Sequence, residues 1–545
     1  MVDAGLVALR AGDTVTARRV LERAVTEVES GEALEGLGEA LYFECEYRAA
    51  VGFYERAYVA YRREQQRGAA GRAARMLAWI TGNVLGDWAV RSGWLGRART
   101  ILAEAGEDRP EYGWVLMINA FVEPDPGVRE CLLREAIAVG RRFGDPDVEF
   151  LGLAYLGGLF VMIDRVEEGL VFSDEALAAL CAGELTEVAI VDEILCGLFW
   201  ACELVNDVPR ADQWVRATAD RRNRSNVVAA FCRAHYGGIL TAAGRWGEAE
   251  VELVEAARHF ERGMSARRDA AIVRLADLRL RQGRLEDVAA LLDGLKDHPD
   301  AVRTLAALHL LRGETALARD LLQRRTGGPD DAVPEVGEST MVGPLLALLV
   351  DVHLQEGRLD EADRAARRLT VLAEAQRGPY LRAAAALARG RVCLATGQGN
   401  ARACLQQALE DFARAQLPME LAVTRMVMAD ALSTIAPEVA VAEAKAALAE
   451  FERLQAALHA DAAGALLRSL GVPVRTGRRG TGTLTKREAE ILELVGAGLS
   501  NPEIGDRLYI TRKTVEHHVG RVLSKLGLRN RAEAAAYATR QKMSR

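Results

Sequence analysis

Near the end of the chain, Arg512–Leu526 sets Lys513, Glu516, His517, Gly520, Arg521 and Ser524 along one face of a stretch that reads as a helix. The opposite stripe, Val515, Val519, Val522, Leu523 and Leu526, recurs at helical spacing and is a candidate core face. Basic, acidic and imidazole side chains on one exposed helix face match the chemistry of base edges in the DNA major groove. A glutamate accepts from cytosine N4, and an arginine donates to guanine O6 and N7. An ordinary three-helix core with a solvated charged face gives the same pattern, so the neighbouring elements decide how the helix is read.

Those neighbours carry three helix starts in quick succession. Thr485 and Glu488 have capping-box spacing, Ser500 and Glu503 repeat it, and Thr511 stands as N-cap before Arg512. Pro502 is tolerated in a first turn, where its missing N–H has no helical partner to lose. Gly498 and Gly527 stand where left-handed helix ends are wanted. The spacing predicts helices over 486–497, 502–508 and 512–526, the last two joined by only Tyr509, Ile510 and Thr511. So short a link between helices is the helix-turn-helix arrangement, whose second helix enters the major groove. The valine–leucine stripe should then pack on Ile491, Leu494, Val495, Ile504 and Leu508.

The run Leu484-Thr485-x-Arg487-Glu488, Gly498-Leu499-Ser500-Asn501, Glu503-Ile504, Leu508, Ile510, Thr514-Val515, His518-Val519, Lys525-Leu526-Gly527 and Arg531 resembles the LuxR-type DNA-binding domain, also called the GerE or NarL type. The match covers the whole module at the right spacings. The resemblance implies four helices, the third lying in the major groove with Glu516, His517 and Gly520 facing bases and Lys513 and Arg521 flanking them. It assigns Asn501, Arg512, Thr514, His518 and Lys525 to phosphates, contacts that set register without reading sequence. Asn501 also reads as a helix-start residue, and the Thr514 hydroxyl as bonding within its own turn. Gly520 departs from the family, where many members have a longer side chain; one base position is left unread, or the backbone approaches closely. Asn530-Arg531-Ala532-Glu533 reads as a further capping box that opens a fourth helix. In the family this helix pairs two modules, and Ala534, Ala535, Tyr537 and Ala538 would allow close approach. A homodimer on double-stranded DNA follows, with half-sites about one helical turn apart.

The charge distribution agrees with a nucleic-acid-binding end. From Arg475 onward there are 15 Lys+Arg and 7 Asp+Glu, net +8; subtraction from the 70 and 77 of the whole chain leaves 55 and 70 in residues 1–474, net −15. An acidic body would not touch DNA, and it is placed to mask the basic tail.

Residues 1–470 show almost no strand signal. A glycine, a small residue five positions on and an aliphatic residue four beyond recur as Gly12/Ala17/Leu21, Gly93/Ala98/Leu102, Gly244/Ala249/Leu253, Gly283/Val288/Leu292 and Gly313/Ala318/Leu322, continued by Gly357/Ala362. Read physically, the glycine ends one helix, the small residue lets the next pack closely, and the aliphatic residue fills the gap. Such hairpins cannot bury an apolar face alone and must stack. Within residues 31–64, Leu34, Leu37, Gly38, Leu41, Ala50, Tyr54 and Ala57 resemble a tetratricopeptide repeat; Gly237, Leu240, Ala249, Leu253 and Ala256 fit a second copy. The turn glycines from 244 to 397 are spaced 39, 30, 44 and 40 residues apart, so the array resembles the irregular superhelix of MalT-type regulators. Residues 324–344 and 107–127 are expected as loops. The expected domains are a repeat domain at 1–470, a flexible basic linker at 471–483 and the DNA-binding module at 484–545. The fold class is thus all-α: a tetratricopeptide-like α-solenoid followed by a four-helix LuxR-type helix-turn-helix domain.

Other functions lack their chemistry. MalT-type regulators carry an ATPase, but none of the six lysines follows a glycine, so no P-loop exists. A phosphoacceptor receiver would need alternating strands. Neither H-E-x-x-H nor G-x-S-x-G occurs, and the eight cysteines contain no C-x-x-C pair, the pattern of free thiols in a reducing compartment. The adjacent His517 and His518 point about 100° apart on a helix and cannot easily share a metal. His309 and His353 read as packing or surface residues. Trp88, Trp94, Trp114, Trp200, Trp214 and Trp246 read as hairpin core, with an aromatic ligand cluster at Phe199, Trp200 and Trp214 as the alternative. No catalytic residues, cofactor or metal are expected. The uncharged run 150–163 contains three glycines and is too short to span a bilayer, so it reads as a buried helix. With no secretory signal at the N-terminus, a cytoplasmic, non-enzymatic regulator of transcription is expected, its array sensing a protein or small ligand and meeting RNA polymerase or a regulatory protein. An interaction scaffold with weak or non-specific DNA binding is the competing reading.

Overall fold

The structure, a computed structural model, describes residues 1–104, 109–186, 188–218, 226–263, 265–327, 339–473, 486–526, 528 and 530–543. Every regular element among them is a helix, from Val2–Arg10 to Arg531–Met543. Up to Ala457–Ser469 the helices pair as antiparallel hairpins stacked side by side.

The hairpins form for the reason their spacing implies. Gly12, Gly244, Gly283, Gly313 and Gly357 all lie between φ +72° and +79°, the left-handed conformation that ends a helix without a Cβ penalty. The small and aliphatic partners, Ala17 with Leu21 and Ala249 with Leu253 among them, are wholly buried. A Cβ on Gly237 would sit 2.6 Å from Leu253, so that glycine is what brings the two helices together. In the repeat at 31–64, Leu34, Leu37, Leu41, Ala50, Tyr54 and Ala57 are all buried between Gly31–Phe43 and Tyr47–Arg63. A fully buried leucine is worth about 1.5–3 kcal/mol, so the stacking carries the array.

Four expectations are corrected. Gly93 is no turn: it lies inside Trp88–Ala103, and the chain reverses at Gly86, φ +81°. The stretch 107–127 contains the helix Glu111–Val122, whose Trp114, Val115, Leu116, Met117 and Ile118 are buried, while its prolines stand at helix boundaries. Residues 324–326 finish the helix Thr315–Thr326, and Ser339–Gln355 begins before Pro344; the middle of that expected loop lies outside the described residues. The run at 150–163 is buried within Pro146–Met162 as expected, and no helix among the described residues is long and apolar enough to cross a membrane. Trp88 is 57% exposed rather than core, with Arg91 stacked on it. Phe199 is fully buried and Trp214 donates to Asp174 at 2.7 Å, so that aromatic group packs the array rather than lining a site.

The array winds back on itself. The Thr340 hydroxyl reaches Asp164 at 3.2 Å, and Arg281 meets Glu420 at 2.8 Å across 139 residues. Successive turns of the superhelix are therefore tied by polar contacts as well as apolar ones. The helix Trp246–Gly263 and the turn before Leu285–Leu291 belong to this tied region, and they form the part of the array nearest the C-terminal module.

Candidate nucleic-acid interface

The C-terminal module has four helices, Lys486–Gly496, Asn501–Leu508, Arg512–Leu526 and Arg531–Met543. Ser500 and Glu503 form the expected capping box. The Thr511 hydroxyl accepts from the Thr514 N–H at 3.0 Å, and Asn530 accepts from the Glu533 N–H at 3.0 Å. Gly498 is left-handed at φ +84°. Thr485 and Gly527 lie outside the described residues. Ile491, Val495, Ile504, Val515 and Val522 are buried in one core, with Leu494, Leu508, Val519, Leu523 and Leu526 packed on it, as the stripe requires.

Several residues shape the module in ways that the spacing of the sequence does not assign to them. A Cβ on Gly505 would lie 2.6 Å from the Ile510 carbonyl, so only glycine admits the tight reversal into the third helix. Tyr509 takes φ +52° there, unusual for a side chain of its size. Arg487 binds the end of the second helix from the first, donating to the Leu508 carbonyl at 2.8 Å and to Glu490 at 2.8 Å. Arg531 donates to the Asn501 side chain at 2.5 Å and to the Leu499 carbonyl, which anchors the fourth helix.

The third helix, Arg512–Leu526, presents the expected face: Lys513, Glu516, His517, Gly520 and Arg521 are all exposed. No heavy atom lies within 4 Å of a Cβ built on Gly520, so the backbone is open to close approach there. Glu516 is paired with Arg512 at 2.9 Å, an exposed contact that yields readily to a competing partner.

The residues assigned to phosphates are placed differently. Asn501 is engaged by Arg531, and the Thr514 hydroxyl lies 2.8 Å from that of Thr511, inside its own turn. Arg512 is exposed. The Lys525 side chain lies outside the described residues. His518 is partly buried on the flank of the helix, its Nδ1 without a hydrogen-bond partner. Burial, then the fields of Arg284 and Arg487, push its pKa down to about 4. Ala534, expected to pair modules, is buried in the module's own core, with Ala535, Tyr537 and Ala538 packed on it; a Cβ on Gly496 would touch Ala538 at 2.6 Å.

Residues 482–538 match the family described as "Bacterial regulatory proteins, luxR family". This segment belongs to that family. It is 49% identical over 61 residues to the transcriptional regulatory protein LnrK and 53% identical over 58 residues to the transcriptional regulatory protein LiaR, both of Bacillus subtilis (strain 168). Each match takes in 11% of this chain and 28% of the relative, so the chain spans little more than a quarter of the length of these curated relatives. Over the array, a crystal structure of the APC/C heterotetramer Cut9–Hcn1 aligns with 85% of this chain and 94% of its own at 11% identity and a TM-score of 0.33, too distant to add to the hairpin geometry.

Proposed function

We propose that this chain is a sequence-specific DNA-binding regulator of transcription. The luxR-family module binds promoter DNA, and the helical repeats sense a protein or small ligand. The observation that carries the reading is the exposed row Lys513, Glu516, His517, Gly520 and Arg521 on the third helix of that module. Arg521 donates to a guanine and Glu516 accepts from a cytosine, while Arg512, His518 and Lys525 meet phosphates. The module pairs with a second copy on DNA. With its central alanines engaged internally, the fourth helix offers its exposed side, which includes Ala532 and Ala536, for that contact.

A cavity of about 930 Å³ in the N-terminal hairpins supports a sensing role. Tyr54, Tyr61 and Trp114 line it together with Glu32, Glu64, Arg72 and Arg75, a wall suited to a ligand with both apolar and charged parts. In this proposal residues 1–470 are the repeats, 471–483 the linker and 484–545 the module, and the helices Ala457–Ser469 and Lys486–Gly496 support those bounds.

Capture and sequencing of genomic DNA bound by the full chain tests the proposal. A recurrent motif with two half-sites one turn apart is the expected result. Binding that falls steeply with salt and shows no motif favours the scaffold with non-specific affinity, because phosphate contacts alone release counterions without reading bases.

A further inference from the structure

The module does not stand clear of the array. Three of its elements meet one face of it. From the first helix, Arg487 lies 3.5 Å from Glu250 on Trp246–Gly263. From the reversal, the Tyr509 hydroxyl donates to both carboxylate oxygens of Glu261 at 3.3 Å. From the third helix, the partly buried His518 lies within the fields of Arg284, which caps the helix Leu285–Leu291, and of Asp287 in the first turn of that helix. Behind these contacts, Arg279 is wholly buried and donates to Glu250 at 2.6 Å, which fixes the carboxylate that Arg487 approaches.

We propose that this array face, Glu250 and Glu261 with the Arg284–Asp287 turn, is a docking surface for the chain's own DNA-binding module, and that the docked module cannot seat on DNA. The inference rests on the DNA-binding reading above and names the regulation of that site. Two observations carry it. Arg487 and Tyr509, from two elements of the module, meet Glu250 and Glu261 on one array helix, and His518, set against a phosphate in the reading above, is partly buried. Glu250 and Glu261 also supply carboxylates to the basic module, on a body whose net charge of −15 repels a duplex. The base-reading row stays exposed, so docking blocks seating rather than covering the row.

The seam is built to release. Buried within it, Nε of Arg487 and Nδ1 of His518 have no hydrogen-bond partner among the described residues, while Arg284 is ion-paired only with Asp287, at 2.6 Å. Burying such groups unpaired is costly, and undocking returns them to water. The docked state is therefore held by a narrow margin that a ligand acting on the array can overturn.

The test uses the full chain and a fluorescent random-sequence duplex at low salt. Glu261→Arg reverses an exposed carboxylate, which also pairs with Arg268 at 3.1 Å, without touching the core. Glu374→Arg, an exposed reversal on the helix Leu359–Gln376, controls for added positive charge. Glu261→Arg is expected to tighten binding at least five-fold more than Glu374→Arg does, with faster hydrogen exchange across residues 509–523. Equal tightening by both, with unchanged exchange, overturns the docking proposal while leaving DNA binding intact. Weaker binding on Arg284→Ala overturns it too, because the turn would then be helping to hold the duplex. Failure of every variant and of the parent chain to bind the duplex removes the DNA-binding reading itself.

Discussion

Arg521 carries no ion pair or hydrogen bond among the described residues and stands exposed beside His517, whereas Glu516 is occupied by Arg512. A free guanidinium on the face proposed to read bases is the group best able to discriminate, since a bidentate bond to guanine is worth about 1–3 kcal/mol against a wrong base. Arg521→Ala should therefore weaken binding at a captured site about 5- to 150-fold and hardly change binding to random duplex. Lys525→Ala should weaken both alike and reduce the salt slope by about one. Titrations of both variants against both duplexes check this, and equal losses from Arg521→Ala would remove it from base reading. At this scale the exposed face was legible, because a helical period separates it from the valine stripe. The engagement of Asn501 by Arg531, 30 residues on, was not, since no local spacing announces a long-range anchor.

The reversal between the second and third helices depends on an element-scale fit around Gly505. A methyl group there meets the Ile510 carbonyl, which is backbone and cannot swing aside. Gly505→Ala should destabilise the module by about 1–3 kcal/mol, as overpacking does. Loss of the Ser500 cap in Ser500→Ala should cost about 1 kcal/mol. Thermal melts of the full chain should show the module's transition falling in both variants while that of the array stays put. The hairpins show the same division between what spacing reveals and what it hides. Glycine turns such as Gly244 and Gly313 could be read from their spacing, because a left-handed helix end favours glycine. The reversals at Cys45, Gln65, Asn206 and Gln416 could not, because these residues adopt the same conformation at a cost that packing repays. Gly93 misled for the opposite reason: a glycine inside a helix leaves no other mark on the pattern.

For the whole molecule, the charge asymmetry between body and tail foretold attraction but not its address. Glu250 and Glu261 meet the module only because the superhelix and the module's placement bring together residues more than 200 positions apart. That address has a consequence for pH. His518 lies within the fields of Arg284 and Asp287 from the array and of Arg487 and Arg521 from the module. Burial, followed by the nearby arginines, holds the docked imidazole at about 4; undocking removes the field of Arg284 while Arg487 and Arg521 stay, so the released imidazole moves back toward, without passing, the ordinary 6.5. Above pH 6.5 His518 is neutral in both states, and docking keeps its full strength. As pH falls from 6.5 toward 4 the released state takes up the proton first, so docking weakens across that window and weakens no further below it. Glu250 stays ionised throughout: burial works to raise its pKa, but the bond from Arg279 and the fields of Arg279, Arg487 and Arg284 hold it at about 2. Hydrogen exchange over residues 509–523 should therefore quicken between pH 7.5 and 5.5, after correction for the intrinsic rate, and His518→Gln should flatten the change. If exchange is as slow at pH 5.5 in the parent chain as at 7.5, His518 is not part of the seam that holds the module down.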